Sequence, residues 1–217
     1  MHVLAINGSP RKTWNTATLL TKTLEGAAAR GASTELVHLY DLDYKGCTSC
    51  FACKLVDGPS NGRCAMEDQL RPVLEQIETK VDALILGSPI YFGLMTGEMR
   101  SFLERLLFAP LVYSLPPRSI FPRTIKTAVI YTMNVNEELC AQLGYPAMFE
   151  ATETILGRVF GMPTETLCCY DTYQFPDYDK VIMECMDPAR KKARRDSVFP
   201  EDCERAVRLG ERLATAG

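Results

Sequence analysis

The sequence predicts an α/β domain in which a five-stranded parallel sheet carries helices on both faces. Short apolar segments alternate with segments whose apolar residues recur at helical spacing. Turn-forming residues follow the apolar segments, as in Asn7-Gly8-Ser9-Pro10 and Gly87-Ser88-Pro89. Ligands of such sheets bind outside the carboxyl ends of the strands. The loops after the first, third and fourth strands are therefore the expected place for chemistry.

Five strands and five helices are predicted in order along the chain. Apolar runs place the strands at His2–Asn7, Thr34–Leu39, Val81–Leu86, Thr127–Thr132 and Glu165–Tyr170. Apolar residues at helical spacing place the helices at Thr16–Arg30, around Leu70–Ile77, around Met99–Leu106, at Phe149–Phe160 and at Pro200–Leu213. Gly31 stops the first helix, and Pro200 suits the first position of the last one.

Two segments have no regular element in this prediction. Ala109–Arg123 is proline-rich and unassigned, and Tyr170–Asp196 is predicted to be irregular and polar. The basic run Arg190–Arg195 is interpreted as a solvated helix face, with a docking patch for an acidic electron-transfer protein as the alternative. We treat residues 1–217 as one domain with a cysteine-rich loop at 41–66 and a C-terminal extension at about 171–217.

Composition excludes several classes of protein. Hydrophobic residues make up 47% and charged residues 24% of the 217 residues, which is typical of a globular domain and not of a disordered chain. The net charge of −3 argues against nucleic acid as a partner, because phosphate binding requires a basic surface. The sequence has neither a membrane-spanning run nor a recognisable signal peptide, so we expect a cytoplasmic protein with no membrane partner.

The loop after the first strand, Gly8–Thr16, has the composition of an anion site, and we call it the phosphate loop. It lies between an apolar strand and the start of a helix, where unpaired backbone N–H groups and the helix dipole favour an anion. Its candidate ligands combine short donors with cations: Ser9, Arg11, Lys12, Asn15 and Thr16. The loop lacks the Gly-Lys-Ser/Thr ending of an ATP-type loop and the two-glycine dinucleotide fingerprint. The alternative is a capped helix with a solvated basic turn.

Two motifs resemble the flavodoxin-like NAD(P)H-dependent FMN reductases. The first is Ile6-Asn7-Gly8-Ser9-Pro10-Arg11 followed by Asn15-Thr16, and the second is Gly87-Ser88-Pro89-Ile90-Tyr91-Phe92-Gly93. The resemblance covers about residues 1–107 and implies strand order 2-1-3-4-5, with the FMN phosphate in the phosphate loop. It also implies that the isoalloxazine ring contacts two further loops: Pro89, Ile90, Tyr91, Phe92 and Gly93, which we call the ring loop, and Thr132, Met133 and Asn134.

The ring loop combines turn-forming residues with aromatic side chains. Gly93 is expected to adopt a positive φ or to let the backbone approach the ring closely. Tyr91 and Phe92 offer flat apolar surface for the ring, and ordinary core packing is their alternative role. The proline-rich stretch and the segment after Tyr170 depart from the minimal reductase pattern.

Cysteine is the main compositional outlier, with nine residues. Without an export signal they are interpreted as thiols, metal ligands or redox groups. The Cys-x2-Cys-x2-Cys run resembles the compact motif of the iron–sulfur flavoproteins, a branch of the same family. This resemblance implies a [4Fe–4S] cluster on Cys47, Cys50, Cys53 and Cys64. The gap before Cys64 is longer than is usual in that branch, and zinc, free thiols or thiol–disulfide chemistry are the alternatives. The other five are scattered: Cys140, Cys168, Cys169, Cys185 and Cys203.

The resemblance implies an FMN-dependent oxidoreductase. Electrons would pass from NAD(P)H or reduced ferredoxin to a small acceptor such as a flavin, a quinone or an oxygen species, through the cluster if one is bound. It also implies a homodimer or homotetramer. The reactive group is the flavin itself, so no catalytic side chain is named. The alternatives are a cluster-free NAD(P)H-dependent FMN or quinone reductase and a flavodoxin-like electron carrier.

Overall fold

A sheet of parallel strands lies at the centre of the computed structural model, which describes residues 1–184 and 186–215. The strands are β1 (His2–Asn7), β2 (Ser33–His38), β3 (Ala83–Tyr91), β4 (Leu94–Met95), β5 (Leu111–Val112), β6 (Arg118–Ser119), β7 (Lys126–Thr132) and β8 (Thr164–Cys169). The five long ones are ordered β2-β1-β3-β7-β8. This confirms the predicted order 2-1-3-4-5. Cys185 and the last two residues of the predicted C-terminal extension lie outside the described residues.

Helices cover both faces of the sheet. They are α1 (Asn15–Ala29), α2 (Arg71–Thr79), α3 (Gly97–Phe108), α4 (Glu137–Gln142), α5 (Tyr145–Phe160), α6 (Pro188–Ser197) and α7 (Phe199–Leu213). Alternate residues of β1 point to opposite faces, so Val3 joins the core formed with α1 and α7 while Leu4 joins the core formed with α2, α3 and α5. None of the helices in the described ranges is long and apolar enough to span a membrane.

Helices α1 and α7 pack so closely that their contact requires glycine. A Cβ atom at Gly210 would lie 1.8 Å from the carbonyl oxygen of Thr23, and one at Gly26 would lie 2.0 Å from the carbonyl oxygen of Val207. No side chain fits at either distance. The C-terminal helix is therefore fixed against the helix that begins at the phosphate loop.

Strand β3 is longer than predicted. The prediction ended it at Leu86, before the turn-forming residues Gly87-Ser88-Pro89. In the structure Ser88 and Pro89 continue the strand and pair with Tyr131 and Thr132 of β7. Pairing of β3 with β1 ends at Gly87, so the missing N–H of Pro89 falls on an unpaired side of the strand. The extra residues carry the strand into a hairpin with β4.

Three other segments differ from the prediction or were unassigned in it. Ala109–Arg123 contains the short hairpin β5–β6. Helix α4 was not predicted, although Asn136 caps it by accepting a hydrogen bond from the N–H of Leu139 at 2.8 Å. The prediction that Tyr170–Asp196 is irregular is wrong for its last part, where Asp187 caps α6 and Pro188 occupies its first turn.

Candidate functional site

Three loops meet at the carboxyl edge of the sheet, where the sequence places the expected chemistry. The hydroxyls of Thr16 in the phosphate loop and Thr132 at the end of β7 share a hydrogen bond of 2.7 Å. The Thr96 hydroxyl, just after the β3–β4 hairpin, donates to the carbonyl oxygen of Gly8 at 2.7 Å. The Thr96 N–H donates to the Ser88 hydroxyl at 3.1 Å. These hydrogen bonds connect the loops that follow β1, β3 and β7, so the three loops form one continuous surface.

The start of α1 has the properties of an anion site. Asn15, Thr16 and Ala17 form its first turn and are buried. Trp14 occupies the N-cap position, and within the described ranges its side chain makes no capping hydrogen bond. The backbone N–H groups of the first turn have no acceptor within the helix, because each would need a carbonyl from a preceding turn. Together with the helix dipole, these N–H groups favour a bound anion.

The phosphate loop itself is held by short internal hydrogen bonds. Ser9 is buried, and its N–H donates to Asn7 Oδ1 at 3.0 Å. Its hydroxyl accepts the N–H of Arg11 at 3.2 Å, which leaves the hydroxyl proton able to donate to a ligand. These bonds fix the backbone of the loop from Asn7 to Arg11.

The two cations of the loop point to different partners. Lys12 forms an ion pair with Asp41, on the side of β2. The Arg11 guanidinium lies 5.4 Å from the centroid of the Trp14 ring and donates to the carbonyl oxygen of Gln174. Arg11 therefore contacts the N-cap residue of α1 and the strap residue Gln174, while Lys12 is paired with a half-exposed carboxylate.

Residues 171–178, which we call the strap, cross the phosphate loop. The carbonyl oxygen of Tyr173 accepts hydrogen bonds from Asn15 Nδ2 at 2.8 Å and from Trp14 Nε1 at 3.2 Å. The rings of Tyr173 and Tyr178 are 4.8 Å apart, and the Tyr178 hydroxyl accepts the N–H of Gln174 at 2.9 Å. The strap thus uses donors that the sequence assigned to a ligand. In the sequence, the strap was indicated only by the aromatic residues that follow the fifth predicted strand, which is β8 in the structure.

The ring loop ends in a tight turn with exposed aromatic side chains. Phe92 has φ +52° and Gly93 has φ +80°, the pair of positive values that a type I′ hairpin turn requires. The expected positive φ of Gly93 is confirmed. Phe92 is fully exposed and Tyr91 is 45% exposed, so core packing is wrong for both residues. Pro89 and Ile90 are half-buried beneath this turn.

The residues of the loop after β7 contact two different parts of the protein, the phosphate loop and the C-terminal extension. Thr132 faces the phosphate loop through Thr16. Met133 is buried, and its carbonyl oxygen accepts the N–H of Thr172 at 3.0 Å. The carbonyl oxygen and Oδ1 of Asn134 accept hydrogen bonds from Lys191 Nζ at 2.7 and 2.8 Å. Met133 and Asn134 therefore contact the C-terminal extension, whereas Thr132 contacts the phosphate loop.

The basic run on α6 is only in part a solvated face, because Arg190 and Lys192 are exposed while Lys191 is buried. The Lys191 side chain has 0% exposure and forms an ion pair of 2.5 Å with Asp171. Burial lowers the pKa of Lys191, and the Asp171 carboxylate opposes that shift. Arg195 Nη1 donates to Asn15 Oδ1 at 2.7 Å. Helix α6 thus lies against the phosphate loop. The sequence carried no signal for this, because the contacts join residues far apart in the chain.

The four predicted cysteine ligands line one small pocket beside α3, which we call the cysteine pocket. Its cysteines are Cys47, Cys50, Cys53 and Cys64, and Phe51, Arg105 and Phe108 also line it. Burial raises the pKa of the Cys53 thiol. The Arg105 guanidinium, with 0% exposure, donates from Nε to Cys64 Sγ at 3.2 Å and forms an ion pair of 2.5 Å with Asp68.

The cysteine pocket brings together a donor set suited to a four-thiolate group. In the described ranges, no group of three or more histidine, cysteine, aspartate or glutamate side chains has the arrangement needed to hold a single metal ion. Zinc and a cubane cluster can each be held by four thiolates, so the donor set fits either group.

The cysteine pocket and the ring loop lie at opposite ends of α3. Glu104 Oε2 accepts the N–H of Cys47 at 3.1 Å, and the Phe51 and Phe108 rings are 6.1 Å apart. The ring loop precedes α3 closely in the chain, and Gly97 is the first residue of that helix. With a rise of 1.5 Å per residue, Gly97 and Phe108 are roughly 16 Å apart along the axis.

Residues 1–122 match the family model described as NADPH-dependent FMN reductase. The chain belongs to this family. The matched segment contains the phosphate loop, the cysteine pocket and the ring loop. The strap and α6 lie outside it.

Two curated relatives of this family member are iron–sulfur flavoproteins. The one from Archaeoglobus fulgidus is 38% identical over 105 residues, which are 48% of this chain and 48% of the relative. The one from Methanocaldococcus jannaschii is 33% identical over 105 residues, 48% of this chain and 51% of the relative. The chain spans about half the length of the curated relatives it matches.

Solved structures resemble this family member over nearly its whole length. The NAD(P)H:quinone oxidoreductase from Methanothermobacter marburgensis superposes with a TM-score of 0.66 at 16% identity, covering 98% of each chain. An FMN-dependent NADH-azoreductase from Bacillus anthracis, solved with FMN, has a TM-score of 0.65 at 12% identity, covering 99% of this chain and 100% of its own. At these identities the likeness shows a shared fold.

Proposed function

We propose that this protein is an FMN-dependent oxidoreductase that takes electrons from NAD(P)H and passes them to a small-molecule acceptor. The observation that carries the proposal is the position of two features at one edge of the sheet. One is the buried start of α1, which has no side-chain cap in the described ranges, and the other is the exposed aromatic turn of the ring loop. An anionic, flat, aromatic ligand suits both features. Membership of the FMN reductase family supports the same ligand.

Two separate sets of residues would bind FMN, one at its phosphate and one at its isoalloxazine ring. Ser9, Thr16 and the first N–H groups of α1 would hold the phosphate, with Arg11 above them. The ring loop would hold the isoalloxazine ring, since its backbone can reach the polar edge of the ring and its aromatic side chains can cover a face. The bound flavin supplies the redox chemistry, and the protein supplies orientation and a controlled environment.

A [4Fe–4S] cluster in the cysteine pocket is a further part of the proposal. It is supported by four thiols around one pocket and by relatives named iron–sulfur flavoproteins. The buried Arg105 guanidinium beside Cys64 would offset the negative charge of thiolate ligands. With such a cluster, reduced ferredoxin becomes a second candidate electron donor. We propose a homodimer or homotetramer as the assembly.

Direct reduction by NAD(P)H separates this function from an electron carrier. FMN-loaded protein is mixed anaerobically with NADPH or NADH, and the visible flavin absorbance is followed by stopped flow, with free FMN as the control. We expect the absorbance to disappear faster than in the control, at a rate that rises with the nucleotide concentration. A flavin that both nucleotides leave oxidised, although dithionite reduces it, would contradict the proposal and indicate a carrier.

Arg11→Ala is expected to weaken FMN binding by about 10- to 100-fold. In the described ranges Arg11 has no carboxylate partner, so its charge is available to a phosphate, and a charge-assisted contact is worth about 1.5–3 kcal/mol. Lys12→Ala should cost less, because Lys12 is paired with Asp41. Flavin fluorescence titration measures both affinities.

A matched control is Arg30→Ala, which removes an exposed arginine at the other end of α1. We expect it to leave the FMN affinity unchanged. If Arg11→Ala behaves like this control, Arg11 does not contact the phosphate.

A further inference from the structure

Most cations of the phosphate loop and of α6 form ion pairs with carboxylates, but two do not. The pairs are Lys12 with Asp41, Arg190 and Lys191 both with Asp171, Lys192 with Asp196, and Arg194 with Asp202. Within residues 1–184 and 186–215, Arg11 and Arg195 have no carboxylate within ion-pair distance. Both contact the start of α1, Arg11 at Trp14 and Arg195 at Asn15, so two cations without a carboxylate partner lie beside the helix end proposed to bind the phosphate.

Arg195 contacts the phosphate loop through Asn15. Its Nη1 donates to Asn15 Oδ1 at 2.7 Å, and its guanidinium lies 3.9 Å from the centroid of the buried Phe199 ring. Asn15 is 5% exposed, and its Nδ2 donates to the carbonyl oxygen of Tyr173 at 2.8 Å. Because Arg195 donates to the amide oxygen of Asn15, the Asn15 side-chain amide is fixed in one orientation. Its donor is then directed toward the carbonyl oxygen of Tyr173 in the strap.

We propose that Arg195 is a positioning residue for the phosphate of the flavin cofactor, acting through Asn15. The inference rests on the proposed function, because it assigns a role toward FMN to a residue outside the segment that matches the family model. Arg195 orients the Asn15 amide, and its unneutralised charge lies next to the first turn of α1. It therefore favours flavins that carry a phosphate over flavins that do not.

Comparison of FMN with riboflavin tests this role, because the two ligands differ only in the phosphate. Apoprotein of the wild type and of the variants Arg195→Gln, Arg195→Lys and Lys192→Gln is titrated with each flavin. For Arg195→Gln we expect the Kd of FMN to rise about tenfold, the effect of losing one charge-assisted hydrogen bond, and that of riboflavin to change less than about twofold. Arg195→Lys should recover part of the loss. Lys192→Gln, an exposed change on the same helix, should match the wild type.

A double-mutant cycle tests whether Arg195 acts through Asn15. Asn15→Ala is expected to weaken FMN binding. Adding Arg195→Gln to it should then cost less than Arg195→Gln costs alone, because the two residues form one contact. Fully additive losses would overturn the action through Asn15.

Other outcomes separate the failure of this inference from the failure of the proposed function. Wild-type protein that binds FMN, together with an Arg195→Gln variant that keeps the wild-type preference for FMN over riboflavin, overturns the inference alone. An equal loss of affinity for both flavins, with a lowered melting temperature, gives Arg195 a merely structural role and also overturns it. Wild-type protein that binds neither flavin overturns the proposed function, and the inference with it.

Discussion

Replacing any one of the four cysteines of the cysteine pocket with serine is expected to remove most of the iron from anaerobically purified protein. The wild type should carry about four irons per chain, the number set by a cubane cluster. The physical reason is that a serine hydroxyl is a far poorer ligand for iron than a thiolate, and all four thiols line one pocket. Iron and acid-labile sulfide analysis measures the loss.

The remaining cysteines provide matched controls for this experiment. Cys140→Ser and Cys203→Ser should retain the iron, because these residues lie on α4 and α7 and do not line the cysteine pocket. FMN should stay bound in all of these variants, since its two binding loops follow other strands. Wild-type protein without iron or zinc would contradict the cluster and leave a cluster-free reductase. Zinc alone would make the pocket a structural clip on the cysteine-rich loop.

Gly93→Val is expected to abolish most flavin binding while the apoprotein remains folded. A β-branched residue is strongly disfavoured at φ +80°, and a Cβ atom there would lie 3.2 Å from Cε1 of Tyr145. The turn would have to change shape, and this would displace the backbone that lies along the ring. Flavin occupancy after purification and the melting temperature of the apoprotein measure the two effects separately.

Gly31→Val is the matched control for the backbone strain. Gly31 has φ +83° and nothing within 4 Å of an added Cβ, and it lies after the end of α1, away from the ring loop. This variant should lose stability but keep its flavin. If Gly93→Val lowers stability as much as Gly31→Val does and retains the flavin, Gly93 serves only the hairpin.

The sheet and the two matching loops could be predicted from the sequence because their signals are local. Apolar runs marked the strands, and Gly-Ser-Pro motifs marked the loops that follow β1 and lie near the end of β3. The length of β3 could not be predicted, because Pro89 breaks a strand unless the side with its missing N–H is unpaired. Only the sheet order shows that this side is free.

The C-terminal extension was the least predictable part of the site. Its contacts depend on partners far away in the chain, such as the hydrogen bond between Arg195 and Asn15, which lie 180 residues apart. A run of basic residues normally indicates a solvated face. Nothing local shows that Asp171 and Asn134 receive the Lys191 side chain and allow it to be buried.

A crystal structure of the FMN complex tests the central claim most directly. We expect the phosphate within hydrogen-bonding distance of the Ser9 hydroxyl and the first N–H groups of α1, with the isoalloxazine ring along the ring loop. The strap should remain over the phosphate loop, held through Asn15. A phosphate bound away from the start of α1, or crystals grown with excess FMN that contain no flavin at this edge of the sheet, would contradict the claim.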